Sequence, residues 1–265
     1  MKPALAYESV RLVDCLRGTL PVVLACGHDG AKPPEGVLAR RKEQFPAACA
    51  FNASRDLRVT ELTRAVAEQL REKVGEAPYA VIAGFHRKYI DANRSEACAC
   101  EPGPARAFYQ EYHSALRGCV EEIRAESGGI GLLLDLHGVQ RREEAPADIY
   151  VGTENGRTIT ALRQGTSDDV LYRRRGLVVL LQVAGYAVLP GAAGEPEHPA
   201  FTGGYTVETY GSHRAHGIDA IQLEIVAELR TDAAARARLA TDLANAIASL
   251  LPRWLPFPTR RLLAS

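Results

Sequence analysis

No apolar run in these 265 residues reaches the length of about eighteen that a membrane helix needs. A membrane-spanning protein is therefore not expected. Charge of one sign is missing too: 32 Lys and Arg face 32 Asp and Glu, a formal net charge of zero. That balance argues against nucleic acid as the main partner, and the local "RRR" at Arg173–Arg175 reads as a solvated helix face. Neither GxGxxG nor GxxxxGK[ST] follows an apolar run, which removes the common nucleotide-binding signatures. The six cysteines (Cys15, Cys26, Cys49, Cys98, Cys100, Cys119) form no CxxC pair, and "CAC" reads as two ordinary thiols. The opening residues lack the cationic-then-apolar pattern of an export signal, so a reduced, cytoplasmic setting is expected. No Pro/Gly/Ser linker and no repeat divides the chain, and one domain over residues 1–265 is expected.

What is present is an alternation. Apolar runs at Pro21–Cys26, Tyr79–Phe85, Gly129–Leu136, Ala147–Thr153, Tyr186–Pro190 and Ala220–Val226 read as strands. Between the first two, Val59, Leu62, Val66 and Leu70 share one face of a helix over Leu57–Glu72, with Gly75 as its stop. A second helix is carried by Phe108, Tyr112, Leu116, Cys119 and Ile123, and further helices are expected over Asp169–Gly185 and from Thr231 or Asp232 onward. Alternating strands and helices imply an α/β fold with a mostly parallel sheet. The Pro- and Gly-rich stretches Ala31–Ala53 and Gly191–Gly204 are long enough to shape a binding site.

In parallel sheets ligands gather beyond the carboxyl ends of the strands. His28 follows the first run in "LACGHDG", His137 follows the third in "LDLHG", and His86, Arg87, Asn93 and Arg94 follow the second. Two neutral imidazoles with one carboxylate make a zinc set that leaves a position open for water. The carboxylate is Asp56 or Glu35. Asp56 directly precedes the first long helix, where an Asp is also a routine N-cap; Glu35 lies in a Pro-Pro loop that reads as solvated, so Asp56 fits better. Asp135 suits the carboxylate that orients an imidazole through its other nitrogen. Glu224 interrupts the last apolar run. In a covered strand it is costly unless paired or functional, and would then be a general base; on an edge strand it and Gln222 would merely face solvent. His113 and His198 read as structural, while His213 and His216 either line a pocket or cap a loop.

The segments "GHDG", "HRKYIDANR", "LDLHG", "FTGGYTVETYG" and "IDAIQLEI" occur in this order, and together they resemble the N-formylglutamate amidohydrolase family. The resemblance runs from about His28 to Glu224. It implies the three-layer α/β/α fold, with a mostly parallel mixed sheet, that this family shares with zinc carboxypeptidases and aspartoacylases. It implies His28, Asp56 and His137 as ligands of one zinc ion, with manganese or iron as other possible occupants. It casts Glu224 as the base, Asn93 and Arg94 as the grip on a substrate carboxylate, and Arg87 as a second carboxylate contact or an oxyanion stabiliser. Gly203, Gly204 and Tyr205 would close one side of the pocket. The expected reaction is hydrolysis of a small N-formyl or N-acyl amino acid, N-formyl-L-glutamate giving L-glutamate and formate. Three positions depart from the family pattern: Asp29 and Gly138 stand where it usually has Ser, and Ala92 replaces a larger hydrophobe. Asp29 is expected to add negative charge near the metal. A carboxypeptidase or deacylase would use the same groups on another substrate; a metal-free binding protein on this fold would require one of them to be out of place.

Overall fold

A computed structural model describes residues 4–163 and 170–253. Eight strands form one sheet: β1 (Glu8–Val10), β2 (Val13–Leu16), β3 (Val22–Cys26), β4 (Tyr79–Ala83), β5 (Leu132–Val139), β6 (Ile149–Gly152), β7 (Val188–Leu189) and β8 (Asp219–Val226). Their spatial order is β1-β2-β4-β3-β5-β8-β6-β7. The four inner strands β4, β3, β5 and β8 are mutually parallel, while β2 and β6 flank them antiparallel. Every residue of β3 and β4 is buried, as an apolar strand covered on both faces requires. The helices are α1 (Val59–Val74), α2 (Glu96–Ala99), α3 (Pro104–Ser127), α4 (Thr160–Arg163), α5 (Leu177–Val183), α6 (Tyr205–Tyr210), α7 (Ala227–Thr231) and α8 (Ala233–Leu250).

Two apolar layers sandwich the sheet. On one face α1, α5 and α8 pack Leu62, Val66, Leu70, Leu181, Leu243 and Ile247 against Leu24, Leu134 and Leu223. On the other, α3 and α6 pack Tyr112, Leu116, Val120 and Val207 against Val23, Val81 and Leu133. The chain leaves β3 through α1 to reach β4 on one side. It then crosses through α3 to β5 on the other side of β3. The order therefore reverses between β3 and β5, and a crevice opens at their carboxyl ends. His28 and His137 stand there.

Helix boundaries follow the local chemistry. Gly75 closes α1 at φ +90°, and its N–H bonds the Arg71 carbonyl. Asp232 caps α8 by accepting from the Ala235 N–H. The helix expected over Asp169–Gly185 is broken: α5 begins only after Gly176, whose N–H turns back to the Arg173 carbonyl. Asp169 lies outside the described residues. The short strands β1 and β2 carry too little apolar pattern to be read from sequence. The two-thiol reading of "CAC" is corrected as well. Cys98 forms a disulfide with Cys49, 49 residues away, and ties the Ala31–Ala53 loop to α2; Cys100 stays free and buried. Spacing alone could not reveal that pair.

Gly30 sits where the loop after β3 passes the backbone of Gly84 and Phe85, and a Cβ there would overlap the Phe85 carbonyl oxygen. Gly30→Ala is expected to destabilise the protein by about 1–3 kcal/mol, the usual cost of overpacking, measured by urea unfolding. An unchanged midpoint would show that the loop yields at no cost.

Candidate active site

Strand pairing sets the first two groups side by side. β3 lies in register with β5, so His28, just past the end of β3, meets His137 with ring centroids 4.6 Å apart. Asp56 arrives from the segment before α1, fixed by its N–H on the His28 carbonyl (3.1 Å) and by its own carbonyl, which accepts from Val59. It is not the side-chain cap of α1. That position belongs to Asp29, whose Oδ2 accepts from the Thr60 N–H at 2.9 Å and whose Oδ1 pairs with Arg55 at 2.9 Å. The expected extra negative charge of Asp29 is thus absorbed by a helix start and a guanidinium.

Asp56 Oδ2 lies 3.4 Å from His28 Nδ1 and 3.1 Å from His137 Nδ1, and accepts from the Gly138 N–H at 3.1 Å. The opposite ring nitrogens face aspartates: His28 Nε2 is 2.7 Å from Asp91 Oδ1, and His137 Nε2 is 2.9 Å from Asp135 Oδ2. Asp135 therefore stands where an orienting carboxylate was expected, although neither of its oxygens completes a hydrogen bond. Candidate ligand atoms of His28, Asp56 and His137 all lie within 4.8 Å of one another. His28 Nδ1 is buried without a hydrogen-bond partner. Two imidazoles backed by carboxylates, with their other nitrogens converging on a third carboxylate, fit a divalent metal. Glu35 is exposed and takes no part.

The last strand supplies the second carboxylate. β8 is central, between β5 and β6, and Glu224 is paired in register with His137 on one side and Tyr150 on the other. It opens into a cavity of about 280 Å³ that His28, Asp56 and His137 also line. Gln222 Nε2 donates to its Oε1 at 3.2 Å. Burial opposes ionisation of both carboxylates, but they end on opposite sides of the usual range. At Asp56 the hydrogen bonds and charges of His137 and His28 outweigh burial and hold it well below. At Glu224 burial prevails over the attraction of His137, Asp56 adds repulsion, and the carboxyl is raised. For His137 burial disfavours the charged ring, yet Asp135, Asp56 and Glu224 together lift it well above its ordinary value. One permanently ionised carboxylate beside one poised for proton exchange is the division of labour that acid–base chemistry needs.

The segment after β4 frames the other wall. Arg87 Nε bonds Asp91 at 3.0 Å, and its Nη1 is 3.6 Å from Asp56 Oδ1. Asn93 is buried: its Nδ2 reaches His137 Nε2 (3.1 Å) and Gln222 Oε1 (3.2 Å), and its Oδ1 accepts from the Thr206 N–H (2.8 Å). Arg94 lines the cavity with one nitrogen on the Asn93 carbonyl. Gly203 and Gly204 line it too. Gly203 needs its missing side chain at φ +137°, and a Cβ on Gly204 would overlap the Asn93 amide. Tyr205 points elsewhere, its ring 5.5 Å from His113 on the far side of the segment. His86 bonds the Lys88 N–H, His198 stacks on Phe201, His213 lies beside Gly211 and His216 is exposed; none lines the cavity.

Three contributors went unread in the sequence. Asp91 is fully buried and holds His28, Arg87 and the Asn93 N–H together; an acid inside "YIDAN" was the available signal. Arg230 spreads its guanidinium over the carbonyls of Ile225, Val139 and Leu57, in the space a Gly138 side chain would need. That accounts for glycine at position 138. Arg142, from the loop after β5, also lines the cavity.

Fold and site together define an α/β protein whose His-Asp-His cluster, with an adjacent carboxylate, lies at the switch point of a parallel sheet. Residues 103–230, just under half of the chain, match the N-formylglutamate amidohydrolase family, in line with the motifs. His137 and Glu224 fall within that stretch; His28, Asp56, Asn93 and Arg94 precede it. The fold is similar to that of an N-formylglutamate amidohydrolase from Ralstonia eutropha JMP134, with a TM-score of 0.63 and 18% identity, over 93% of this chain and 100% of that one. It is also similar to a gene product of Agrobacterium tumefaciens, with a TM-score of 0.57 and 16% identity, over 91% and 96% of the two chains. No curated protein matches the sequence.

His113, on α3, braces the site from behind: Nε2 contacts the Ala92 carbonyl and Nδ1 the Tyr210 hydroxyl, each at 3.0 Å. Burial lowers it from 6.5 to about 4, so the folded state holds the neutral ring. Its contribution is complete above pH 6.5 and is lost as pH falls towards 4, a change of order 3 kcal/mol. The urea midpoint should fall more steeply across that window in the wild type than in His113→Gln. Equal slopes would refute the assignment.

Proposed function

We propose that this protein is a metal-dependent hydrolase that cleaves the amide bond of an N-formyl or N-acyl amino acid, with N-formyl-L-glutamate as the preferred substrate. The observation that carries the reading is the convergence of His28, Asp56 and His137 beside Glu224 in one cavity lined by guanidinium groups. The family match over residues 103–230 supports it independently. His28, Asp56 and His137 would hold the ion, with zinc the best fit to two imidazoles and a carboxylate. Such an ion supplies Lewis acidity and lowers the pKa of water in its reach to about 7.

The chain's own groups then divide the work. Glu224 accepts the proton of the attacking water and returns it to the departing amine as the C–N bond breaks, leaving formate and the free amino acid. Burial raises its pKa above that of an exposed carboxylate, the direction in which a carboxylate takes up a proton more readily. Arg87, beside Asp56, stabilises charge developing on the acyl oxygen. Arg94 holds the amino acid's carboxylate, and the fork geometry of a guanidinium suits two parallel bonds. Asn93 keeps His137 and the Gly204–Thr206 segment in place around that carboxylate.

Metal analysis of the purified protein should find about one divalent ion per chain in the wild type and none in His137→Ala. A wild type that neither contains nor takes up zinc, manganese or iron would overturn the reading. Glu224→Gln should keep the ion but lower kcat by about 10²- to 10⁴-fold, the usual share of a general base. Retention of full activity would assign proton transfer to another group.

A further inference from the structure

We propose that Arg142 selects an acidic side chain by binding the second carboxylate of a substrate that carries two. The reacting end of that substrate rests on the hydrolase reading above; the carboxylate site does not. Three guanidinium groups line the cavity, and their pairing differs. Arg87 is committed to Asp91 and Asp56. Arg94 bonds only a backbone carbonyl, and Arg142 lies over the Phe201 ring at 5.2 Å. Among the described residues neither of these two has a carboxylate within ion-pair distance, although the neighbouring Arg141 takes both Asp148 and Glu228.

These two cations are also anchored from different strands. Arg94 follows β4, whereas Arg142 is anchored from the β6 side, where its N–H donates to the Tyr150 hydroxyl at 3.2 Å and that hydroxyl donates to the Ala145 carbonyl. In strand order β3, β5 and β8 lie between them, with His28 just past the end of β3, His137 on β5 and Glu224 on β8. Among the described residues the carboxylates lining the cavity are Asp56 and Glu224, and both belong to that centre. An anionic group at each end of the ligand is what two unpaired guanidinium groups flanking a reacting centre recognise. A neutral side chain would leave Arg142 idle.

The test compares N-formyl-L-glutamate with N-formyl-L-glutamine, which differ only in the charge of the side chain, and measures glutarate binding by calorimetry on the metal-loaded protein. In Arg142→Met, kcat/KM for the acid should fall about 10- to 100-fold, as expected for a lost bond to a charged group. The loss should lie in KM, with kcat and the glutamine compound little changed, and glutarate should weaken by the same factor. Arg142→Lys should recover part of it. A parallel fall for both substrates, or unchanged glutarate binding, would overturn the assignment. If the wild type cleaves neither compound yet binds glutarate through Arg142, the hydrolase reading falls and the dicarboxylate site stands.

Discussion

The buried carboxylate of Asp56 is the constraint on which the site depends. An ionised group this deep costs several kcal/mol unless each oxygen is answered. His28, His137, the Gly138 N–H and Arg87 answer it, and they come from the ends of β3 and β5 and from the segment after β4. Three stretches distant in sequence must therefore meet at one point, and the reversal of strand order between β3 and β5 supplies that point. The same demand extends outward. Asp91 bonds the far nitrogen of His28 and in turn draws in Arg87, while Asp135 places its charge 2.9 Å from the far nitrogen of His137.

Charge in the centre is balanced by shape as well as by sign. Glycine at position 138 admits the Arg230 guanidinium, which lies against the backbone rather than on a carboxylate and adds positive potential near Asp56 and Glu224. Glycine at position 204 admits the Asn93 amide, through which the first turn of α6 is hung on His137. Asp29, where the family resemblance leads one to expect serine, leaves the His28-Asp56-His137 cluster undisturbed, because its charge is consumed by the first turn of α1 and by Arg55. Two of the three departures from the family pattern thus have local structural causes.

Opposite fates of two neighbouring carboxylates give the centre its chemical character. Asp56 is compressed between imidazoles and stays ionised, whereas at Glu224 burial, with the repulsion of Asp56, outweighs the attraction of His137, His28 and Arg87. The same functional group thereby takes two characters, one held ionised and one raised. The difference is positional: Asp56 sits among the rings, and Glu224 sits one strand over with its carboxylate in the cavity.

Much of this was legible in the linear sequence. The inner strands and the helices α1, α3 and α8 announce themselves through apolar periodicity, because one buried face repeats every two or every 3.6 residues. His28 and His137 could be singled out because each closes such a run, and a strand end is where a parallel sheet exposes side chains to a ligand. Glu224 was visible as an acid in an apolar strand, but only the pairing of β8 between β5 and β6 made it central rather than an edge residue. Asp91, Arg142 and Arg230 carry no periodic signal, since their partners lie far away along the chain. The Cys49–Cys98 bond and the turn of Tyr205 away from the cavity are of the same kind. Sequence by itself determined which elements form and which residues end them, because those are local matters of burial and backbone preference. The tertiary structure alone decided which of those ends meet, because long-range pairing of strands and buried charges is satisfied only once the whole sheet is assembled.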